Sequence, residues 1–189
     1  MAVRLFLAIN PEPEVRRAVI DATSDLRAAA PTLNWMDESR VHLTLKFLGE
    51  QEDGVVPPLA QALDRVAERH RPFTMHIADV GAFPNFRRAR VVWMGVERDA
   101  RLELLHHDVE IACESLGFPL EGRPFRPHVT LARVRERTEE DELRRLSRAC
   151  KRVAFDCETD VRTIDLMRST PGRAGSRYDR LHSAVLRAH

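Results

Sequence analysis

The sequence predicts an α+β fold in which antiparallel sheets form two lobes of one unit. Apolar segments with helical spacing alternate with short strand-like segments along the 189 residues. Several connections between them are short and rich in turn residues, which favours hairpins over the crossovers of a parallel sheet. No low-complexity tract or flexible linker divides the chain. We therefore expect residues 1–189 to form a single two-lobed domain.

The first half of the chain alternates predicted strands and helices. The apolar run 5–9 predicts a strand, and the prolines after it suit the start of a helix over 13–30, whose apolar residues recur every three or four positions. Residues 41–48 are the clearest strand in the sequence. A helix over 55–69 and two strands over 72–83 and 89–96 follow. A turn joins these last two strands, which predicts a hairpin.

The second half repeats this alternation. A helix is expected over 101–116, where Gly117 is placed to cap its C-terminus. A loop with two prolines then leads into a strand over 128–133, which has the same pattern as strand 41–48. An acidic segment starts a further helix that ends near residue 150. Strands over 152–158, 161–167 and 177–186 complete the prediction.

The composition is that of an ordinary globular protein, with 43% hydrophobic and 31% charged residues. The formal net charge of +1 argues neither for a general nucleic-acid coat nor against a locally basic groove. The three cysteines form no CxxC pair, which suits a reducing compartment and argues against a structural zinc site. The N-terminal apolar run is too short for a signal peptide or a membrane span. We expect a cytoplasmic protein without membrane contact.

Several common catalytic motifs are missing from the sequence. It contains no GxGxxG, GxxxxGK[ST], HExxH or GxSxG segment. These absences argue against a dinucleotide site, a phosphate-binding P-loop, a zinc protease and a serine hydrolase.

The tetrapeptide HxTL occurs twice, beginning at His42 and at His128. Because side chains alternate along a strand, His42 and Thr44 share one face of the first strand, and His128 and Thr130 share one face of the second. If the two strands lie side by side or across a cleft, two imidazoles and two hydroxyls converge on a volume that can hold a phosphate.

This set of groups suits the cleavage of a phosphodiester. Such a reaction needs a base for the attacking oxygen and an acid for the leaving oxygen, and histidine can act as either near neutral pH. The threonine hydroxyls can donate hydrogen bonds to the non-bridging phosphoryl oxygens. The clustered carboxylates of a two-metal site are missing near these histidines. We therefore expect no metal and no cofactor.

The two motifs and their surroundings resemble the 2H phosphoesterase superfamily, and within it the RNA 2′,3′-cyclic phosphodiesterase branch, also called the 2′-5′ RNA ligase family. The resemblance runs nearly end to end. The stretches that carry it are Arg4-Leu-Phe-Leu-Ala-Ile9, Val41-His-Leu-Thr-Leu-Lys-Phe-Leu-Gly-Glu50, Gly81-Ala-Phe-Pro-Asn85, Gly117-Phe-Pro119 and Arg123-Pro-Phe-Arg-Pro-His-Val-Thr-Leu-Ala-Arg133.

The resemblance implies a bilobal fold with pseudo-two-fold symmetry, outer helices and a central cleft to which each lobe contributes one HxT strand. It also implies hydrolysis of terminal RNA 2′,3′-cyclic phosphates to 2′-phosphates, with His42 as proton donor and His128 as proton acceptor. Thr44, Thr130 and Arg133 carry over as phosphate-binding residues. Strict alternation puts Arg133 on the opposite face from His128, so its role requires a bulge or twist. The spacing of the motifs does not itself distinguish donor from acceptor.

Other residues have open roles. Alternation places Lys46 on the histidine face, either as a solvated lysine or as a substrate contact. Tyr178 resembles a family tyrosine that lines the cleft. An aromatic and basic loop is either an RNA guide or an ordinary solvent-exposed loop, and comprises Phe83, Phe86, Arg87, Arg88 and Arg90. Phe125 and Arg126 precede His128 in a stiff segment. His106 and His107 are adjacent on a predicted helix, so they cannot both face one metal ion, and we expect them at the surface or its boundary. No partner motif accompanies His70, His76, His182 or His189.

Three alternatives to hydrolysis remain open. The same histidines could join RNA ends reversibly through a 2′-5′ linkage. A non-catalytic RNA- or nucleotide-binding module could keep the fold, although binding alone does not require both histidines. An unrelated metal-dependent hydrolase is the third alternative. The expected partners are RNA ends with a 2′,3′-cyclic phosphate, on tRNA fragments or short oligonucleotides, and a monomer is expected.

Overall fold

The computed structural model describes residues 2–172 and 175–187, which form a nine-stranded antiparallel sheet and five α-helices. His189 lies outside these residues. The strands are β1 (Ala2–Ile9), β2 (Asn34–Trp35), β3 (Leu43–Glu52), β4 (Phe73–Phe83), β5 (Val91–Val96), β6 (His128–Arg133), β7 (Asp156–Val161), β8 (Thr163–Thr170) and β9 (Arg177–Val185). The helices are α1 (Pro13–Ala22), α2 (Ser24–Ala29), α3 (Val56–Ala67), α4 (Ala100–Glu114) and α5 (Glu140–Cys150). Single 3₁₀ turns occur at Glu38–Arg40, Asp53–Val55 and Phe86–Arg88.

The strand order is β7-β4-β5-β6-β3-β1-β8-β9, with β2 attached to β6. Apart from β2, four strands thus lie on each side of the junction between β6 and β3. This junction is a single antiparallel pair, Leu43 opposite Val129. The predicted α+β class with antiparallel sheets is confirmed, and so is the hairpin of β4 and β5. The two HxT strands are direct neighbours at the centre of the sheet.

The two faces of the sheet have different roles. Leu5, Leu7 and Ile9 of β1 belong to the main hydrophobic core. The alternate residues Phe6 and Ala8 form a separate small cluster on the other face. Leu43 and Val129, at the junction, are fully buried in the main core. The opposite face is therefore the one on which the polar residues of the two motifs lie.

The helix predicted over 13–30 is two helices in the structure, and that prediction is wrong at one residue. Thr23 separates α1 from α2. Its buried side-chain hydroxyl donates to the carbonyls of Val19 and Ile20, at 3.1 and 3.0 Å. A threonine bonded back to the preceding turn competes with the helical backbone pattern and bends the chain. The apolar stripe continues across this break, which is why periodicity alone indicated one helix.

Candidate active site

The four polar residues of the two motifs meet at the junction of β3 and β6. Since Leu43 lies opposite Val129 in an antiparallel pair, His42 is placed across from Thr130 and Thr44 across from His128. All four side chains are partly buried. The two histidines are diagonal neighbours, a relation that separates residues by about 7–8 Å in a regular sheet. One phosphoryl group can contact both imidazoles at a spacing of this order.

Both imidazoles are oriented by a backbone carbonyl two residues earlier in the chain. His42 Nδ1 lies 2.8 Å from the carbonyl oxygen of Arg40, and His128 Nδ1 lies 2.7 Å from that of Arg126. A carbonyl can only accept, so each Nδ1 carries a proton and the neutral ring has its lone pair on Nε2. His42 Nε2 accepts from the Thr44 hydroxyl at 3.1 Å. The two Nε2 atoms are therefore the ones available for proton transfer.

Aromatic side chains pack against each histidine. The His42 ring centroid lies 5.0 Å from that of Phe6 and 5.3 Å from that of Tyr178, the latter edge-on. His128 is edge-on to Phe83 at 5.0 Å. These contacts fix the rings and remove water from around them. Tyr178 thus lies beside His42, where the family resemblance suggests a cleft residue.

Arg133 reaches the histidine face through a bulge in β6. Val92 pairs with Ala132 and Trp93 with Thr130, so Leu131 is an extra residue without a partner on β5. Leu131 and Ala132 are both buried, and the alternation shifts by one position. Arg133 is exposed on the side of the histidines. Its charge lowers the pKa of both His42 and His128, which places the guanidinium near both rings.

The electrostatics of the site disfavour positively charged imidazoles when no anion is bound. Burial is the main cause that lowers the pKa of His42 to about 4, and the charges of Arg133 and His128 add to it. Burial also lowers the pKa of His128, again with Arg133 contributing. In the free protein at neutral pH both rings are neutral. An incoming phosphate anion would offset Arg133 and favour protonation.

Lys46 does not lie on the histidine face, so the prediction from strict alternation is wrong. Leu7 pairs with Lys46 and Ala8 with Thr44, which leaves Leu45 as the extra residue of a bulge in β3. Lys46 is therefore turned into the core. Its buried ammonium donates to both carboxylate oxygens of Glu110 at 2.8 Å. It also donates to the carbonyl of Pro119 at 2.8 Å, so its role is structural.

The same bulge brings Phe47 to the histidine face, a position that the sequence analysis missed. Phe47 is 68% exposed and lies directly opposite Phe6 of β1 in the pairing of β1 with β3, with ring centroids 6.3 Å apart. It stands five residues after His42, as Arg133 stands five residues after His128. The matching offsets in the two motifs were the signal that could have indicated it.

The remaining histidines and the aromatic and basic loop lie in other surroundings. His70 bonds Asp108 at 2.9 Å and His182 bonds Asp64 at 2.8 Å. His106 stacks on Phe125 at 3.8 Å. The loop arginines Arg87, Arg88 and Arg90 are exposed, and the first two line a groove against α5 to which none of the histidines contributes.

A cavity of about 390 Å³ opens beside His128, on the β5 side of the junction. It is lined by the second half of β4, by β5 and the residues after it, and by the segment that leads into β6: Ala78, Asp79, Phe83, Trp93, Gly95, Val96, Glu97, Arg98, Phe125, Arg126, Pro127 and His128. Its walls are mainly apolar and aromatic, as is usual for small-molecule pockets. Arg126 therefore contributes both the carbonyl that orients His128 and part of the wall of this cavity.

Two further properties concern metals and membranes. Within residues 2–172 and 175–187, no group of three or more histidine, cysteine, aspartate or glutamate side chains is placed to hold a metal ion. None of the helices in this part of the chain has the length and apolar character needed to cross a membrane.

An α+β fold whose antiparallel sheet brings two HxT strands together defines a two-histidine phosphoesterase. A family profile described as the 2′-5′ RNA ligase superfamily matches residues 11–173. The chain belongs to this superfamily, that of the 2H phosphoesterases. The family predicted from the repeated motif is thus confirmed, as is the prediction that the chain is an enzyme of this family.

Sequence relatives cover the chain to different extents. A protein of Methanothermobacter thermautotrophicus named RNA 2′,3′-cyclic phosphodiesterase is 30% identical over 94% of this chain and 96% of its own length. A Geobacillus stearothermophilus protein of the same name is 38% identical over 68% of this chain, and the match spans 41% of that protein's length.

Solved structures match over nearly the whole chain. The protein TT0787 of Thermus thermophilus superposes with a TM-score of 0.79 at 29% identity, covering 97% of both chains. E. coli LigT complexed with 3′-AMP superposes with a TM-score of 0.73 at 26% identity, covering 98% of this chain and 99% of LigT.

Proposed function

We propose that this protein hydrolyses 2′,3′-cyclic phosphates at RNA ends and leaves a 2′-phosphate. The observation that carries the proposal is the pairing of β3 with β6, which sets His42 and Thr44 against Thr130 and His128 on one face. The relatives named RNA 2′,3′-cyclic phosphodiesterase support this choice of substrate. The substrates in the cell are proposed to be tRNA fragments or short oligonucleotides.

The two histidines divide the proton transfers. His128 accepts the proton of a water molecule through Nε2 as the water oxygen attacks phosphorus. The bond from phosphorus to O3′ breaks on the opposite side, and a protonated His42 donates its Nε2 proton to O3′. A buried imidazolium gives up its proton readily, which suits His42 to the donor role. The bound anion favours the protonated His42 at the start of the reaction.

The remaining site residues bind the phosphoryl group. Thr44 and Thr130 donate their hydroxyl protons to the non-bridging oxygens, and the Thr44 hydroxyl leaves His42 Nε2 to do so. Arg133 neutralises the negative charge that develops on these oxygens. None of these steps uses a metal ion.

A purified protein and one defined RNA test this proposal. An oligoribonucleotide ending in a 2′,3′-cyclic phosphate is incubated with the protein in a strong chelator, and the product is analysed for mass and for 2′- or 3′-phosphate. We expect complete conversion to the 2′-phosphate. His42→Ala and His128→Ala should each lower turnover by about 10²- to 10⁴-fold, the usual contribution of a general acid or base. His107→Ala, an exposed histidine on α4, is the matched control.

Each other outcome favours a different function. Turnover within about threefold of the wild type in either histidine variant would contradict the mechanism. Loss of activity in chelator would favour a metal-dependent hydrolase. Binding of the RNA without conversion would favour a non-catalytic module.

Reversible joining of RNA ends through a 2′-5′ linkage is the second candidate. The chemistry differs only in the attacking group, because a 5′-hydroxyl takes the place of water at His128. The cavity beside His128 favours this candidate, since water alone needs no pocket of that size.

A further inference from the structure

Helix α4 contributes one histidine that the proposed mechanism does not use. His106 is largely buried, with 15% of its side chain exposed. Its ring stacks on that of Phe125, with centroids 3.8 Å apart and ring planes 9° from parallel. Phe125 also belongs to the wall of the cavity beside His128. A side chain of α4 therefore contacts the segment that leads into the second motif.

The backbone between Phe125 and His128 is stiff. Pro127 fixes its own φ and restricts Arg126 to an extended conformation. The carbonyl of Pro127 accepts from the backbone N–H of Val96 at 3.2 Å. The carbonyl of Arg126 accepts from His128 Nδ1 at 2.7 Å. Since Arg126 cannot rotate freely between its neighbours, a displacement of Phe125 also displaces the carbonyl that orients His128.

His106 is itself held against β3. Burial is the main cause that lowers the pKa of His106, while the Glu110 carboxylate and a hydrogen bond with the backbone of Leu45 act against it. The ring thus lies at the bulge residue of β3. Glu110 also binds Lys46 of β3 and the backbone N–H of Glu121. Helix α4 therefore connects the strand of the first motif to the segment that precedes the second.

We propose that His106 is a positioning residue for His128. Its ring keeps Phe125 in place, and Phe125 fixes the carbonyl that holds a proton on His128 Nδ1. The lone pair of the neutral imidazole then stays on Nε2, the atom that accepts the proton of water under the proposed function, on which this inference rests. Without His106, the tautomer with its proton on Nε2 becomes populated. That tautomer cannot act as the base.

The tautomer of His128 tests this role directly. In ¹⁵N NMR spectra of the free protein near neutral pH, the wild type should carry the proton on His128 Nδ1, and His106→Ala should convert a measurable fraction to the Nε2-protonated form. Burial is the main cause that lowers the pKa of His128, and the hydrogen bond with Arg126 acts against it, so loss of this bond should lower the pKa further. His42, whose Nδ1 bonds to the carbonyl of Arg40, should keep its tautomer and is the internal control.

Turnover of a cyclic-phosphate oligonucleotide gives the second readout. We expect kcat of His106→Ala to fall by about 10- to 100-fold, since a misplacement of about 1 Å at a reacting group can cost about 10²-fold. KM should change little, because Thr44, Thr130 and Arg133 stay in place. His106→Phe keeps an aromatic ring against Phe125, so it should restore most of kcat and the proton on His128 Nδ1.

Two further variants separate positioning from a general loss of stability. His70→Ala is the matched control, because His70 is a buried histidine that bonds Asp108 of the same helix at 2.9 Å. It should leave the tautomer of His128 unchanged. Phe125→Ala interrupts the contact on its other side and should reproduce both effects of His106→Ala. The double variant His106→Ala/Phe125→Ala should lose no more kcat than either single variant, as expected for two residues that act through one contact.

The outcomes separate this inference from the proposed function. An unchanged tautomer of His128 in His106→Ala would overturn the positioning role, even if kcat fell. An equal change at His128 in His70→Ala would also overturn it, since α4 would then act only through the stability of the fold. If His106→Ala does not fold, Phe125→Ala decides, and a proton that stays on His128 Nδ1 in that variant would overturn the role. A wild type that does not hydrolyse the cyclic phosphate would overturn the proposed function, and the NMR spectra would still decide whether His106 positions His128.

Discussion

Under the proposed function, Arg133 couples substrate binding to proton transfer. Its charge lowers the pKa of His42 and His128 in the free protein, and the same field would attract a phosphate. The sequence predicted Arg133 as a phosphate ligand only on the condition of a bulge, and β6 contains that bulge. Neutralising a residue that acts through its charge should change the pH dependence of the reaction, whereas neutralising a residue that only supports the fold should not.

Replacing Arg133 with glutamine should change both the rate and its pH dependence. We expect KM to rise and kcat/KM to fall by about 10- to 100-fold, because a charge-assisted hydrogen bond of about 1.5–3 kcal/mol is lost. Removing the positive charge should raise the pKa of both histidines, so the optimum of kcat/KM should move to higher pH. Steady-state rates across the pH range measure both effects. Arg135→Gln, an exposed neighbour, is the control, and an unchanged pH optimum in the Arg133 variant would argue against this role.

At the scale of the strand, the two bulges decide which residues face the cleft. Strict alternation placed Lys46 on the face of His42, and it placed Arg133 on the face opposite His128. One extra residue in each strand reverses both placements: Leu45 in β3 and Leu131 in β6. Nothing in the local pattern marks these positions, since Leu45 and Leu131 are ordinary strand residues. The burial of Lys46 depends on Glu110, which is 64 residues away in sequence. Such a pair cannot be read from strand alternation.

The pair of Lys46 and Glu110 makes a prediction about stability. Lys46→Met leaves the buried Glu110 carboxylate without its cation, although the backbone N–H of Glu121 still donates to it at 2.9 Å. We expect a loss of about 3–5 kcal/mol in the free energy of unfolding, as for other broken buried ion pairs. Urea denaturation measures this loss. The double variant Lys46→Met/Glu110→Gln should recover part of it, and an equal loss in both variants would show that the charge is not the cause.

At the scale of the whole molecule, the sequence predicted the class of fold and which two strands meet at the site. It did not predict the order of the strands in the sheet. The repeated HxTL segment indicated two equivalent strands. Their adjacency depends on one residue pair between segments far apart in the chain, Leu43 and Val129. The cavity beside His128 depends in turn on three strands and a loop that meet only in the folded protein. Local patterns specify the elements, whereas these contacts arise from the packing of both halves.

Each half of the chain supplies one histidine, and the two act as acid and base, so the activity should show a bell-shaped pH profile. The pH optimum should differ between the free protein and the complex with substrate. Only the fraction of the free protein in which one imidazole is protonated and the other is neutral can react. The pKa of His42 is about 4, and that of His128 lies below its ordinary value of 6.5, so the optimum of kcat/KM should lie on the acidic side of pH 6.5. In the complex, the phosphate anion offsets Arg133 and raises both pKa values, so the optimum of kcat should lie at higher pH.

Rates measured between about pH 4 and pH 9 with a cyclic-phosphate oligonucleotide give both profiles. Circular dichroism at each pH shows whether the protein stays folded, since an imidazole with a lowered pKa makes the folded state less stable as the pH falls from 6.5 toward 4. An optimum of kcat/KM above neutral pH would contradict the depressed pKa values. Coincident optima for kcat and kcat/KM would instead show that the bound phosphate does not change the protonation of the two histidines. His42 would then have to receive its proton before the substrate arrives.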